Sequence, residues 1–185
     1  MRRWFVFLLI ASFFAPNAIA QAPTDGRVES SAYVNTFFHI SYQWPKILQA
    51  YDTKSLALSQ LPPSDHEWLL FTARKGSEPY GVIMLAEKLN VPTQHSKGTK
   101  SADDFMISVR QEVDKWASWR VVSESRPRNA DGIPMMEMDY IANGEVDAAV
   151  VAEMPGFLIV FKCNAKSASE LAEMTKSAIA LHHIK

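Results

Sequence analysis

GIPMMEMDYIANGEVDAAVVAEMPGFLIVFKC, residues 132–163, reads as three consecutive antiparallel strands. Asn143-Gly144 interrupts two runs of strand formers, and both central positions of a type I′ turn need positive φ, which Asn and Gly tolerate best. A two-residue loop there sets Tyr140 against Asp147, Met138 against Ala149 and Met136 against Val151 on one side of the sheet. On the other side Ile141 meets Val146, Asp139 meets Ala148, Glu137 meets Val150 and Met135 meets Ala152. Pro155-Gly156 predicts the second reversal, although proline cannot take the positive φ of a primed turn's first position. A two-residue loop at that point opposes Val151 to Val160, Ala152 to Ile159 and Val150 to Phe161. Met136, Met138, Val151 and Val160 then share one face, and Val150, Ala152, Ile159 and Phe161 the other. Neither face suits water, so the pattern predicts an α+β fold with three layers, helix on sheet on helix.

The chain opens with MRRWFVFLLIASFFAPNAIA, in which a basic start, an apolar run from Trp4 to Phe14 and an Ala-x-Ala site at residues 18–20 mark a secretory signal peptide cleaved after Ala20. The run is short for a membrane span. The Arg-Arg-x-Phe opening has the look of a twin-arginine signal, but so apolar a core favours the general export route. No cysteine stands at the cleavage point to carry a lipid. Export to a periplasm or to the medium is expected, with no stable membrane span once the signal is removed. Loss of residues 1–20 takes Arg2 and Arg3 from 19 basic residues against 20 acidic ones, leaving a formal charge of −3 on the remaining 165 residues. That length favours one domain, over residues 32–185, preceded by a polar and mobile leader at 21–31. Scattered Lys and Arg argue against nucleic acid as a partner. The one cysteine, Cys163, has no internal disulfide partner and sits beside Ala148 and Asp139 in the register, a position that predicts burial rather than reactivity.

Tyr33–Asn35 and Phe38–Trp44 read as two short strands about a tight reversal, ended by Pro45. The stretch 47–61 shows no sustained period and reads as irregular with a single helical turn. Glu67–Arg74 and Gly81–Leu89 form a strand pair around a Gly- and Pro-containing loop. After a surface loop at 90–100, Ser101 with Asp104 makes a capping-box variant, and Phe105, Met106, Val109, Val113 and Trp116 recur at helical spacing. Trp119–Ser125 returns as a strand, and Arg126-Pro127-Arg128-Asn129 reads as a charged loop into the central meander, with two arginines capable of gripping an anion. Ser167 with Glu170 caps a closing helix whose inner stripe is Leu171, Met174, Ala178 and Leu181. His182-His183 lies at its frayed end, where adjacent residues diverge by about 100° and cannot chelate one ion.

The quoted stretches YVNTFFHISYQWP, SADDFMISVRQEVDKW, MMEMDYIANGEVDAAVV and GFLIVFKCNAKSASELAEMTKSAI, taken in order, resemble the PsbP-like group, which includes the extrinsic subunit of photosystem II and a Ran-binding nuclear transport factor. The resemblance spans nearly all of residues 33–184 and rests on pattern and order. It implies an α/β/α sandwich around a mainly antiparallel sheet and a family whose members mainly bind other proteins. No motif carries those members' contact residues over to this chain.

Three functions follow for weighing. The first is an exported, non-catalytic binding or assembly module whose partner is another protein, contacted through exposed aromatics among Trp44, Trp116 and Trp119. No G-x-S-x-G elbow, H-E-x-x-H helix or phosphate loop is present to argue for catalysis. The second is a hydrolase using Glu137 and Asp139, two apart on one strand face and roughly 7 Å apart along it; salt bridges to Lys or Arg are the ordinary account of such a pair. The third is a small-molecule carrier with a pocket between sheet and helix lined by Met135, Met136, Met138 or Met154, for which core packing is the simpler reading. No catalytic residue, cofactor or metal is assigned, and His39 reads as a solitary strand histidine without a partner at metal spacing.

Overall fold

The computed structural model describes residues 21–51, 65–92 and 98–184. The signal-peptide assignment at 1–20 and most of the stretch 47–61 lie outside them. Thirteen elements follow in order: β1 Gly26–Glu29, β2 Ala32–Asn35, β3 Ile40–Tyr42, β4 Gln49–Tyr51, β5 Glu67–Arg74, β6 Gly81–Lys88, α1 Ala102–Asp114, β7 Arg120–Ala130, β8 Ile133–Ala142, β9 Glu145–Met154, β10 Phe157–Ala165, α2 Ala168–Ile179 and β11 His182–His183. They build a seven-stranded sheet ordered β4-β5-β6-β10-β9-β8-β7 and a four-stranded sheet ordered β1-β2-β3-β11.

The central meander has the register its turns dictate. Asn143 and Gly144 take φ of 53° and 88°, and Met138 pairs with Ala149 and Met136 with Val151. Gly156 takes φ 78° after Pro155, so the second turn has positive φ only at its second position, which is the type II pattern that proline permits. Val160 pairs there with Val151 and Phe161 with Val150. Two separate cores result. Met138, Ala149, Val151, Leu158 and Val160 pack under α1 with Met106 and Ala102, while Val150, Ala152, Ile159 and Phe161 pack under α2 with Leu171, Met174 and Ala178. Each buried aliphatic or aromatic residue contributes about 1.5–3 kcal/mol. Leaving either face bare would therefore forfeit most of the roughly 5–15 kcal/mol that holds a domain together. The fold is α+β, a mostly antiparallel sheet with one helix on each face.

On the α2 face the helix is not the only cover. The small sheet packs beside it through rings: Tyr42 lies 5.1 Å from Phe161 and 5.6 Å from Phe71, and Trp44 lies 5.0 Å from Phe71. Ser177 of α2 donates a hydrogen bond to the Gln43 carbonyl, which ties helix to small sheet.

Both helices start as their caps require. Ser101 and Ser167 are extended and accept from the amides of Asp104 and Glu170, satisfying one of the free N–H groups of each first turn.

Several expectations need correction. Residues 21–31 are not an unstructured leader throughout, because Gly26–Glu29 pair with β2 as β1. Arg126–Asn129 are not a loop: they continue β7, with Pro127 opposite Met136, and the reversal into β8 lies at Asp131-Gly132, both at positive φ. Proline is tolerated there because β7 is an edge strand whose outer N–H groups pair with nothing in the sheet. Gln49–Tyr51, expected to be irregular, pair with β5. Finally, α2 ends at Ile179, and His182-His183 leave the helix to pair with β3. Leu181 is fully buried just beyond the helix end.

The two-core arrangement has a direct thermodynamic test. Met138→Ala should cost about 2–5 kcal/mol and Phe161→Ala about 3–5 kcal/mol by urea unfolding. Because the sheet separates the two sites, the double variant should equal their sum to within about 0.5 kcal/mol. A coupling above about 1 kcal/mol would show that the side chains share one core.

Candidate functional site

Glu137 and Asp139 stand two apart on β8, on the α2 face, as their alternation predicts. Glu137 is 3% exposed, deep for a carboxylate, and both of its oxygens are engaged: Arg126 lies 2.8 Å from Oε1 and the Arg128 Nε donates to Oε2 at 2.6 Å. Arg126 also donates to Asp139 Oδ2 at 2.7 Å and to the Ser123 hydroxyl. The arginines come from β7, where Arg126 is directly opposite Glu137 in register and Arg128 two residues on reaches it diagonally. The anions that Arg126 and Arg128 grip are thus carboxylates of the next strand, and salt bridges account for the pair. Val122, Leu171, Ala172 and Thr175 close a groove of about 190 Å³ over this network.

The methionines expected around a carrier pocket are divided. Met135 and Met154 belong to the α2-side core, and Met136 and Met138 to the α1-side core, so no single cavity takes all four. A cavity of about 390 Å³ does exist, but between the small sheet and the β9–β10 turn, with Met154, Phe37, Phe38 and Phe157 on its walls and His39 and His183 at it. Both histidines are exposed; His39 has φ 53° and its carbonyl accepts from the Ile184 amide. Among the described residues, no three His, Cys, Asp or Glu side chains are grouped to hold a metal. No helix of the described residues is long and apolar enough to cross a membrane.

Cys163 is buried, and burial pushes its thiol far above the ordinary range, which favours the protonated form over the nucleophilic thiolate. Of the three tryptophans singled out, Trp44 is half-buried on Phe71, whereas Trp116 is 53% exposed at the end of α1. Trp119 lies between: its ring is 6.3 Å from Trp116 on one side and 6.3 Å from Tyr140 on the other, where the rings stack. The Trp119 N–H donates to Asn143 Oδ1 at 3.3 Å, which anchors this aromatic run to the tight turn of the meander.

Beyond Tyr140 lies a group of polar residues that strand patterning did not single out. Asp147 pairs in register with Tyr140 on one side and with Asn164 on the other. Its side chain is 9% exposed on the α1 face. The signal for it was present in VDAAVV, an ionisable residue at an inward position among apolar ones. Asn164 Nδ2 donates to Asp147 Oδ1 at 2.7 Å and to Glu145 Oε2 at 3.1 Å. Burial pushes the Asp147 carboxyl above the usual carboxylate range, the Asn164 hydrogen bond opposes this, and the neighbouring Glu145 charge adds to it. Burial, and then the charge of Asp147, likewise push the Tyr140 hydroxyl upward.

Two outcomes follow. Arg126→Met should lower stability by about 1.5–3 kcal/mol in urea unfolding, because it removes one of the two guanidiniums on a buried carboxylate; adding Glu137→Gln to that variant should recover part of the loss. Asp147 gives the pH test. Its folded pKa lies above its unfolded one, so between the two the folded state holds the extra proton and stability falls as pH rises through that window. Asp147→Asn should flatten that part of the stability profile, and an unchanged slope would remove Asp147 as its source.

No protein-family profile and no curated protein matches the chain. Among solved structures, the solution structure of cyanobacterial PsbP (CyanoP) from Synechocystis sp. PCC 6803 is similar, at 15% identity and a TM-score of 0.56. The match covers 85% of this chain and 96% of that one. At such identity the likeness speaks for backbone architecture and leaves function to the site. The chain is therefore distantly PsbP-like in fold.

Proposed function

We propose that the chain is an exported, non-catalytic module that docks on another protein. One observation carries this reading: an aromatic run on one surface, from Tyr140 through Trp119 to Trp116, whose outermost ring is 53% exposed. An indole left in water forfeits the burial that its large apolar area favours, and such rings supply much of the binding energy of protein interfaces. The Trp116 N–H is steadied by Glu112 Oε1 at 3.1 Å, so the ring is held outward with little freedom left to lose on docking. Export rests on the signal-like residues 1–20.

Hydrolysis by Glu137 and Asp139 has less support. A carboxylate pair that shuttles protons must present free oxygens to substrate. Here Glu137 is held at both oxygens and Asp139 shares Arg126 with it. A small-molecule carrier is the second reading, supported by the 390 Å³ aromatic-walled cavity at Phe37, Phe38 and Phe157.

Crosslinking in the native cell followed by mass spectrometry tests the docking reading. A recurring protein partner is expected, with crosslinks concentrated near α1 and the following turn. Trp116→Ala should reduce its recovery at least tenfold at unchanged export and unchanged unfolding midpoint, since anchor truncation costs about 2 kcal/mol or more. Recovery of no partner across repeated captures would count against docking.

A further inference from the structure

Asn164 joins two carboxylates of the neighbouring strand. Its Nδ2 donates to Asp147 Oδ1 at 2.7 Å and to Glu145 Oε2 at 3.1 Å, which fixes the amide, since only the NH₂ end can donate. Asp147 and Asn164 are directly opposite in register, so their side chains leave the sheet on one side, about 4.5–5.5 Å apart at Cβ. Each of the two heads has one polar atom left over, Asp147 Oδ2 and Asn164 Oδ1. Both atoms are buried, and among the described residues neither has a hydrogen-bond partner. These are two acceptors without a donor, an arrangement that native structures rarely keep, and neither atom is open to bulk water. A single proton resolves both. Carried on Asp147 Oδ2, it turns that atom into a donor and supplies Asn164 Oδ1 with the partner it lacks. Acid and amide then hold each other by two hydrogen bonds, N–H to oxygen in one direction and O–H to oxygen in the other.

The groups around the pair favour that proton. Burial acts most strongly on the Asp147 carboxyl and the Glu145 charge acts in the same sense, whereas the Asn164 hydrogen bond and the Ala142 backbone N–H favour the anion; the net effect lifts the carboxyl above its usual range. The basic groups on this side are Arg74 of β5 and Lys162 of β10, which line the small cavity next to Asp147. Lys162 is exposed, and among the described residues neither forms an ion pair with Asp147. Tyr140 of β8 stands opposite Asp147, with its hydroxyl held neutral by burial. Tyr80 lies against Glu145, and Cys163 faces the other side of the sheet. Helix α1 covers this face with Phe105, Met106 and Val109, none of them charged.

We propose that Asp147 and Asn164 form a proton-held clasp between β9 and β10: Asp147 folds as the neutral acid, donates from Oδ2 to Asn164 Oδ1, and releases its proton to solvent as pH rises. Release leaves an anion directly opposite Tyr140, the ring on which Trp119 stacks, so the inner end of the aromatic run senses pH. The clasp stands whether or not that run docks a partner.

The test follows the Asp147 side-chain carboxyl by ¹³C NMR through a pH titration of the exported chain, the signal being assigned through its own backbone amide. A midpoint above the ordinary aspartate value of about 3.9 is expected, with the Asn164 side-chain NH₂ and the Trp119 indole N–H moving at the same midpoint. In Asp147→Asn a second amide takes the place of the acid, and its NH₂ supplies the missing donor at every pH. The Asn164 and Trp119 movements should vanish in that variant. Its unfolding midpoint in urea should exceed that of the wild type above the titration and lose the lead below it, because the wild-type clasp is complete only while the proton is bound. A wild-type Asp147 midpoint at or below about 3.9, or an Asn164 NH₂ that does not follow Asp147, overturns the clasp without recourse to any variant. A Trp119 signal that stays still while Asp147 and Asn164 titrate overturns the link to the aromatic run.

Discussion

The structure depends on a sheet that is apolar on both sides. Val150, Ile159 and Phe161 on one face and Met138, Val151 and Val160 on the other are nearly inaccessible to solvent, and each face gains from burial about as much as a small domain's whole net stability. Helices α1 and α2 are consequently placed by what they must cover. The same constraint explains why the opening strands form a sheet of their own: the α2 face is wider than one helix, and Tyr33, Tyr42 and Trp44 reach it from the small sheet to close the remainder.

That constraint also decides where polar chemistry can sit. Glu137 occupies an inward position on a buried face and is retained because two arginines on the edge strand match it. Asp147 occupies an inward position on the opposite face and is matched at one oxygen only. Two carboxylates with similar placement thus differ in kind: one is held at both oxygens by guanidinium groups, and the other keeps one buried oxygen without a hydrogen-bond partner among the described residues.

The meander was legible in the sequence because its register is a local matter. Asn143-Gly144 and Pro155-Gly156 fix both turns, and a period of two then assigns every side chain to a face. The misread segments are those whose pairing is distant. Gly26–Glu29 are polar and look mobile until β2 is beside them, and His182-His183 look like a helix end until β3 lies 141 positions upstream in pairing distance, from His182 to Ser41. Arg126-Pro127-Arg128-Asn129 has the composition of a loop, yet at a sheet edge a proline costs no hydrogen bond and the arginines have strand partners. The carboxylates Glu137 and Asp139 could be placed on one face from spacing alone, but their guanidinium partners could not, because those lay in the misread segment. Asp147 is positioned opposite Tyr140 by the first turn and opposite Asn164 by the second, whereas the relation of that row to Gly81 needs β6 in register beyond the meander.

The outer margin of β7 governs how a second chain can approach. With Pro127 lacking an amide proton, register shifts at Val121–Ser123 and Ser123–Arg126, and Arg120, Glu124 and Arg128 along its length, this margin is poorly suited to recruiting an incoming extended peptide as an eighth strand. Lateral growth of the sheet is disfavoured on that side, which guards the protein against stacking into fibrils through β7 and favours recognition there by side chains over main-chain ladders.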